Sequence, residues 1–329
     1  MSQTEHTSKK SPPPKTVSLI LGSGGARGMA HIGVIRWLEA HNYQINSISG
    51  SSIGALIGGI YAAGKLDECE AWCKQLSKAD IIGLTDFAWD RSGLIKGDKL
   101  VQAFKKLIGN PNIEDLSIPF TAVATDLENE KEVWLQKGSL VDAIRASTAL
   151  PMIFTPFQKN STILVDGGVL NPVPMAPVFG QANDLMIAVN LGGKPVVEKR
   201  SETNKQAEPP EHSDVTTEAS NGSWLTGASG LLDSLWSKFR STELKESSES
   251  DLYASPLVSR DMIEISNQAF DSMQNSIARQ QLAAYPPDIV VEIPRNACGM
   301  LEFTRVSEMI QLGYQAAEEA LGAGQPLSR

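Results

Sequence analysis

Ser52 stands at the centre of Gly50-Ser51-Ser52-Ile53-Gly54, a match to the G-x-S-x-G pattern, with strand-like residues before it and helix-like residues after it. A sharp turn between a strand and a helix holds such a serine in a strained backbone and tolerates only small neighbours, here Gly50 and Gly54. Its Oγ then projects above the sheet beside a helix N-terminus, whose dipole favours developing negative charge. The chemistry expected is nucleophilic attack on a carbonyl. A second glycine-rich stretch, Gly22-Ser23-Gly24-Gly25-Ala26-Arg27-Gly28, also falls between a strand and a helix. Such a loop can cradle phosphate, but no Gly-Lys-Ser/Thr follows, so it is not a P-loop. Nor is it a good dinucleotide fingerprint, because the third glycine falls one place late and no acidic residue ends the second strand. Beside Ser52 it reads better as an oxyanion hole, where one lost donor can add about 3 kcal/mol to the barrier. Arg27 either helps to set this loop or caps it by hydrogen bonds.

A serine nucleophile needs a proton acceptor, and the chain has four histidines. His6 lies in a polar tail and His212 in a polar stretch, both poor places for rigid catalysis. His31 falls inside the first helix, where packing or a helix-end role is expected, and His41 closes that helix facing solvent. None follows an acid in the order of an α/β-hydrolase triad. Asp166-Gly167-Gly168 is the substitute. It follows the strand-like Thr162–Val165, which puts the carboxylate at a strand end, where active sites of α/β proteins gather. Asp-Gly also makes plain turns; paired with Ser52 and no usable histidine, it reads as the base.

The elements that would position these groups alternate. Val17–Leu21 reads as a strand and is followed by a helix carrying Met29, Ile32, Ile35 and Leu38. Ile45–Ser49 reads as the next strand and Ala55–Ala63 as the next helix. Further strands are expected at Phe120–Ala124, Glu132–Leu135, Thr162–Val165, Leu185–Asn190 and Ile289–Ile293. Helices are expected at Leu66–Ser77, Gly97–Leu107, Leu140–Ser147, Ser259–Ala284 and about Arg305–Leu321. The alternation predicts an α/β fold with a mainly parallel sheet covered by helices. Residues 1–15 read as a disordered tail, 16–193 as the catalytic core and 194–253 as a polar insertion, with 254–329 completing the same domain. Within the insertion, 224–240 places Leu225, Leu232, Leu235, Trp236 and Phe239 on one helix face, suited to docking on the main domain or to contact with lipid.

With 329 residues the chain can bury one large core, and its net charge of −9 argues against a nucleic-acid partner, which needs clustered Lys and Arg. No secretory leader and no apolar run long enough to span a membrane are apparent. Cys69 and Cys73 stand four apart on an expected helix, but no histidine or acidic pattern completes a metal site, so they read, with Cys298, as reduced thiols. The expected location is cytoplasmic, with reversible contact to the inner face of a membrane.

Together the three motifs, Gly22–Gly28, Gly50–Gly54 and Asp166–Gly168, resemble the patatin-like phospholipases, in particular the bacterial branch related to the neuropathy target esterase catalytic domain. The resemblance covers about 17–191, and the segments Ala143–Pro151 and Pro286-Pro287-Asp288 look like that branch too. It implies a three-layer α/β/α sandwich and a Ser-Asp dyad, with Ser52 as nucleophile and Asp166 as base. The N–H groups of the glycine loop, Gly24 and Gly25 foremost and Arg27 with them, would form the oxyanion hole, flanked by Gly22 and Gly28. Ser23 stands where many members carry glycine, its N–H still expected to be available. The implied substrate is a fatty-acyl ester of a phospholipid or lysophospholipid, cleaved without metal or cofactor. An acyltransferase, a non-catalytic lipid-binding protein and a nucleotide binder are the alternatives.

Overall fold

The computed structural model describes residues 13–84, 95–196 and 256–322, the stretch 256–264 as helical backbone only. Its residues group into two compact units, 1–196 with 263–329, and 197–262. The first unit holds every element discussed below, except that the helix Pro256–Ala284 begins in the second. The amphipathic segment 224–240, and nearly all of the polar insertion, lie outside the described residues.

A single eight-stranded sheet runs through the first unit. Its strands are β1 (Lys15–Leu21), β2 (Tyr43–Ser51), β3 (Phe120–Asp126), β4 (Lys131–Leu135), β5 (Phe157–Lys159), β6 (Thr162–Asp166), β7 (Leu185–Gly193) and β8 (Ile289–Pro294). The order is β5-β6-β3-β2-β1-β7-β8, with β4 also paired to β3. The pairs β3–β2, β2–β1, β1–β7 and β7–β8 are parallel, whereas β4, β6 and β5 join antiparallel at one side. The sheet is therefore mixed. Three-residue β5 was not legible in the sequence, because a short edge strand carries little periodic signal.

Alternation along the strands sorts side chains to two faces. Val17, Leu19 and Leu21 of β1, and Ile187, Val189 and Leu191 of β7, join a core with helices α1 (Ala30–Ala40), α2 (Ile53–Ala62) and the C-terminal α8 (Val306–Ala317). Ile20 and Ala188 point the other way, into a smaller cluster with Val173, Met175, Val178 and Ala278. Ala278 belongs to α7 (Pro256–Ala284), which covers that face. The result is a three-layer α/β/α sandwich. The remaining helices are α3 (Leu66–Gln75), α4 (Lys78–Leu84), α5 (Asp98–Ile108) and α6 (Leu140–Ser147). Helix α2 is almost wholly apolar because it is buried on nearly every side.

Strand order fixes where a site belongs. From β1 the chain moves outward through β2 and β3, then returns to place β7 on the other side of β1. The crevice beyond the carboxyl ends of β1 and β7 lies at this reversal, the position favoured for ligands in open α/β sheets. The glycine loop 22–28 leaves β1 there. Cys69 and Cys73 are buried free thiols with sulfurs 3.9 Å apart. Among the described residues no helix is long and apolar enough to cross a membrane.

Candidate active site

Ser52 occupies the turn between β2 and α2 with φ 57° and ψ −124°, the backbone strain expected of a residue whose side chain must be presented upward. Close packing fixes the turn. A Cβ on Gly54 would lie 2.0 Å from the Leu21 carbonyl oxygen, and one on Gly50 would lie 2.5 Å from Gly54 main-chain atoms. Small residues are required at both places because the first turn of α2 rests directly on β1 and β2. The Ser52 amide is also anchored: it donates to Ser147 Oγ at 3.0 Å, and that hydroxyl donates to the Val123 carbonyl at 2.6 Å. Ser147, the last residue of α6, is fully buried.

Ser52 Oγ donates to Asp166 Oδ2 at 2.5 Å. Asp166 closes β6, is wholly buried, and receives the Gly168 amide on Oδ1 at 2.7 Å. Burial pushes its carboxyl up to about 7, against the opposing pull of the hydrogen bonds from Ser52 and Gly168. That range suits a group that must both take and return a proton near neutral pH. Gly167 is required because a Cβ there would sit 2.1 Å from the Val123 carbonyl oxygen.

The glycine loop is laid against β7 and the C-terminal segment. Gly22 N–H donates to Val189 O at 3.0 Å, and a Cβ on Gly24 would lie 2.6 Å from the Leu191 side chain. Gly25 has φ 59°, and Ala26 N–H donates to Met300 O at 2.8 Å. The amides of Gly24 and Gly25 have no hydrogen-bond partner among the described residues, which leaves them available to an incoming oxygen. One expectation changes. Ser23 N–H is not available, since it donates to Pro172 O at 2.8 Å. Arg27 sets the loop by hydrogen bonds, as one of its two expected roles had it: its buried guanidinium donates to Asp271 Oδ1 at 2.5 Å and to Arg295 O at 3.0 Å and so tethers the loop. Gly22 and Gly28 serve packing, a Cβ on Gly28 lying 2.2 Å from Ile53.

His31 is fully buried in α1, and its Nε2 donates to the Gly22 carbonyl at 2.8 Å. Burial lowers its pKa to about 4, outweighing the hydrogen bond, so the ring stays neutral and steadies the loop. His41 stacks on Trp37 and bonds its carbonyl, while His6 and His212 lie outside the described residues. Among the described residues no cluster of three or more histidine, cysteine or acidic side chains is placed to hold a metal. In the sequence Ser147 only ends the expected helix Leu140–Ser147 and falls within the segment Ala143–Pro151, and nothing there singles out its hydroxyl.

A strained serine on a strand-to-helix turn, hydrogen-bonded to a buried aspartate beside a glycine-rich loop, defines a class. Residues 19–179 match the family model described as patatin-like phospholipase. An uncharacterized NTE family protein of Mycobacterium tuberculosis is 40% identical over 331 residues, covering 93% of this chain and 91% of its own. The chain belongs to the NTE family, and about half of it matches the patatin-like phospholipase model. Lysophospholipase NTE1 of Coccidioides immitis is 28% identical over 313 residues, covering 93% of this chain but only 18% of its own. The solved structure of VipD from Legionella pneumophila aligns with a TM-score of 0.43 and 12% identity, over 94% of this chain and 66% of its own.

Proposed function

We propose that this chain is a serine acyl hydrolase acting on fatty-acyl esters of phospholipids or lysophospholipids through a Ser52–Asp166 dyad. The observation that carries the proposal is the 2.5 Å hydrogen bond from Ser52 Oγ to the buried Asp166 carboxylate at a strained elbow. Family membership supports the lipid substrate, and the name of the Coccidioides relative points to lysophospholipids.

In this mechanism Asp166 accepts the Ser52 proton as Oγ attacks the ester carbonyl carbon. The carbonyl oxygen becomes an oxyanion received by the free amides of Gly24 and Gly25, next to the N-terminus of α2. Collapse breaks the ester bond, and the departing alkoxide of the lysolipid or glycerol backbone takes the proton from Asp166. Asp166 then draws a proton from water as its oxygen attacks the acyl-serine. Release of the fatty acid returns that proton to Ser52. Proton acceptor and oxyanion donors all come from the chain itself.

Labelling by a fluorophosphonate, read by intact mass and peptide mapping, tests this assignment. The probe is expected on Ser52 in the wild type, nowhere in Ser52→Ala, and much more slowly in Asp166→Asn. Both variants are expected to lose at least roughly a thousandfold in kcat on a fluorogenic acyl ester. Wild-type turnover by a folded Ser52→Ala protein would overturn the proposal.

A further inference from the structure

One buried polar side chain next to the dyad has no place in the mechanism above. Gln274, on α7, is 4% exposed, and its Oε1 accepts a hydrogen bond from Ser23 Oγ at 3.2 Å. Its Nε2 is buried and has no partner among the described residues. The position is specific. A Cβ added to Gly168 would lie 2.2 Å from Gln274 Nε2, 2.6 Å from Ser23 Oγ and 3.0 Å from Asp166 Oδ1. Three polar groups, from α7, the glycine loop and the acid turn, thus converge on the spot that Gly168 leaves open.

The helix face explains how the amide arrives there. Asp271, one turn earlier, pairs with Arg27 of the glycine loop, and Ala278, one turn later, packs in the cluster with Ile20 and Val173. Positions 271, 274 and 278 form one stripe, polar over the site and apolar over the sheet. An unpaired buried amide is destabilising, so a residue needed only to fill this space would be apolar, and methionine has the same unbranched length. Ser23 is held twice: its main chain to Pro172, just beyond the acid turn, and its hydroxyl to Gln274. The next two residues are Gly24 and Gly25.

We propose that Gln274 is a positioning residue for the hydrolysis assigned to Ser52, clamping Ser23 to the acid turn so that the oxyanion donors and Asp166 stay in one register. The inference rests on that assignment. Its test uses the full chain with Gln274→Met, Ser23→Ala and the pair, measuring kcat and KM on a soluble p-nitrophenyl butyrate, the rate of fluorophosphonate labelling, and the thermal midpoint. Gln274→Met is expected to lower kcat and the labelling rate by roughly tenfold or more, with KM changed by less than about threefold, as misplaced rather than missing groups would give. Ser23→Ala should reproduce part of the loss, and the double variant should be no worse than Gln274→Met, because both break one clamp. A folded Gln274→Met protein with wild-type kcat would overturn the inference, as would fully additive losses in the pair. Should Gln274→Met not fold, unchanged kcat in Ser23→Ala overturns it on its own. A wild type that neither labels nor turns over, matching Ser52→Ala, refutes the assignment at Ser52 and the clamp with it.

Discussion

Asp166 is fully buried, and the proposed mechanism also asks it to act as a base, two demands that pull against each other. Its carboxyl titrates near 7 in the folded chain, against an ordinary value of 3.8, because burial disfavours the anion. Only the anion can accept the Ser52 proton, so kcat/KM on a soluble ester is expected to rise with pH through about 7 and then level off. Stability has the opposite slope. Between about pH 4 and 7 the unfolded chain has released this proton while the folded chain retains it, so stability falls as pH rises across that window. Asp166→Asn, neutral at every pH, is therefore expected to melt higher than the wild type at pH 8, with the difference shrinking toward pH 4; calorimetry at the two pH values measures it. At this scale Ser52 and Asp166 were legible in the sequence, because a nucleophile elbow and an Asp-Gly-Gly turn are written in adjacent residues. Gln274 and Ser147 were not. Each acts on residues about a hundred or more positions away, and each sits in a helix whose local pattern says nothing of its partner.

Elements hold the site by close approach rather than by loops. α6 ends on Ser147, whose hydroxyl bridges the Ser52 amide to β3, so it fixes the elbow from the side. Ser147→Ala is expected to lower kcat roughly tenfold while KM stays near wild type, since the serine remains but its backbone loses an anchor; steady-state kinetics on a short-chain ester checks this. The first and last described helices are locked more tightly still. A Cβ on Gly313 of α8 would lie 1.9 Å from the Ala30 carbonyl oxygen, and one on Gly33 of α1 would lie 1.9 Å from that of Ile310. Gly313→Ala is expected to destabilise the fold by about 1–3 kcal/mol, seen as a lower urea midpoint. Every strand of this scaffold but β5 could be read from apolar runs, and α6 is bounded at Leu140–Ser147 from sequence alone. The antiparallel side was not legible, since pairing direction depends on where the chain returns and not on the composition of β5 or β6.

For the whole molecule, the three layers gather the glycine loop, the elbow and the acid turn beside one reversal of strand order. The segment 224–240, outside the described residues, is proposed as a reversible contact with a membrane surface on its amphipathic sequence alone. Deleting it is expected to weaken sedimentation with anionic lipid vesicles while leaving hydrolysis of a soluble short-chain ester largely intact; undiminished sedimentation would remove that role. Early and late parts of the described residues meet beside the glycine loop. Arg27 reaches Asp271 and Arg295, Ala26 is fixed by Met300, and α1 is capped by α8. This closure has a consequence in time. During synthesis Ser52 and Asp166 leave the ribosome early, and the strands that carry them can pair while translation continues. The glycine loop can lie against β7 by then, but it lacks its ties to Arg295, Met300 and α8 until residues 295–317 have emerged as well. A nascent chain would thus hold both halves of the proposed dyad before its glycine loop is fully tethered, and the proposed hydrolase would come into being only once α8 is delivered.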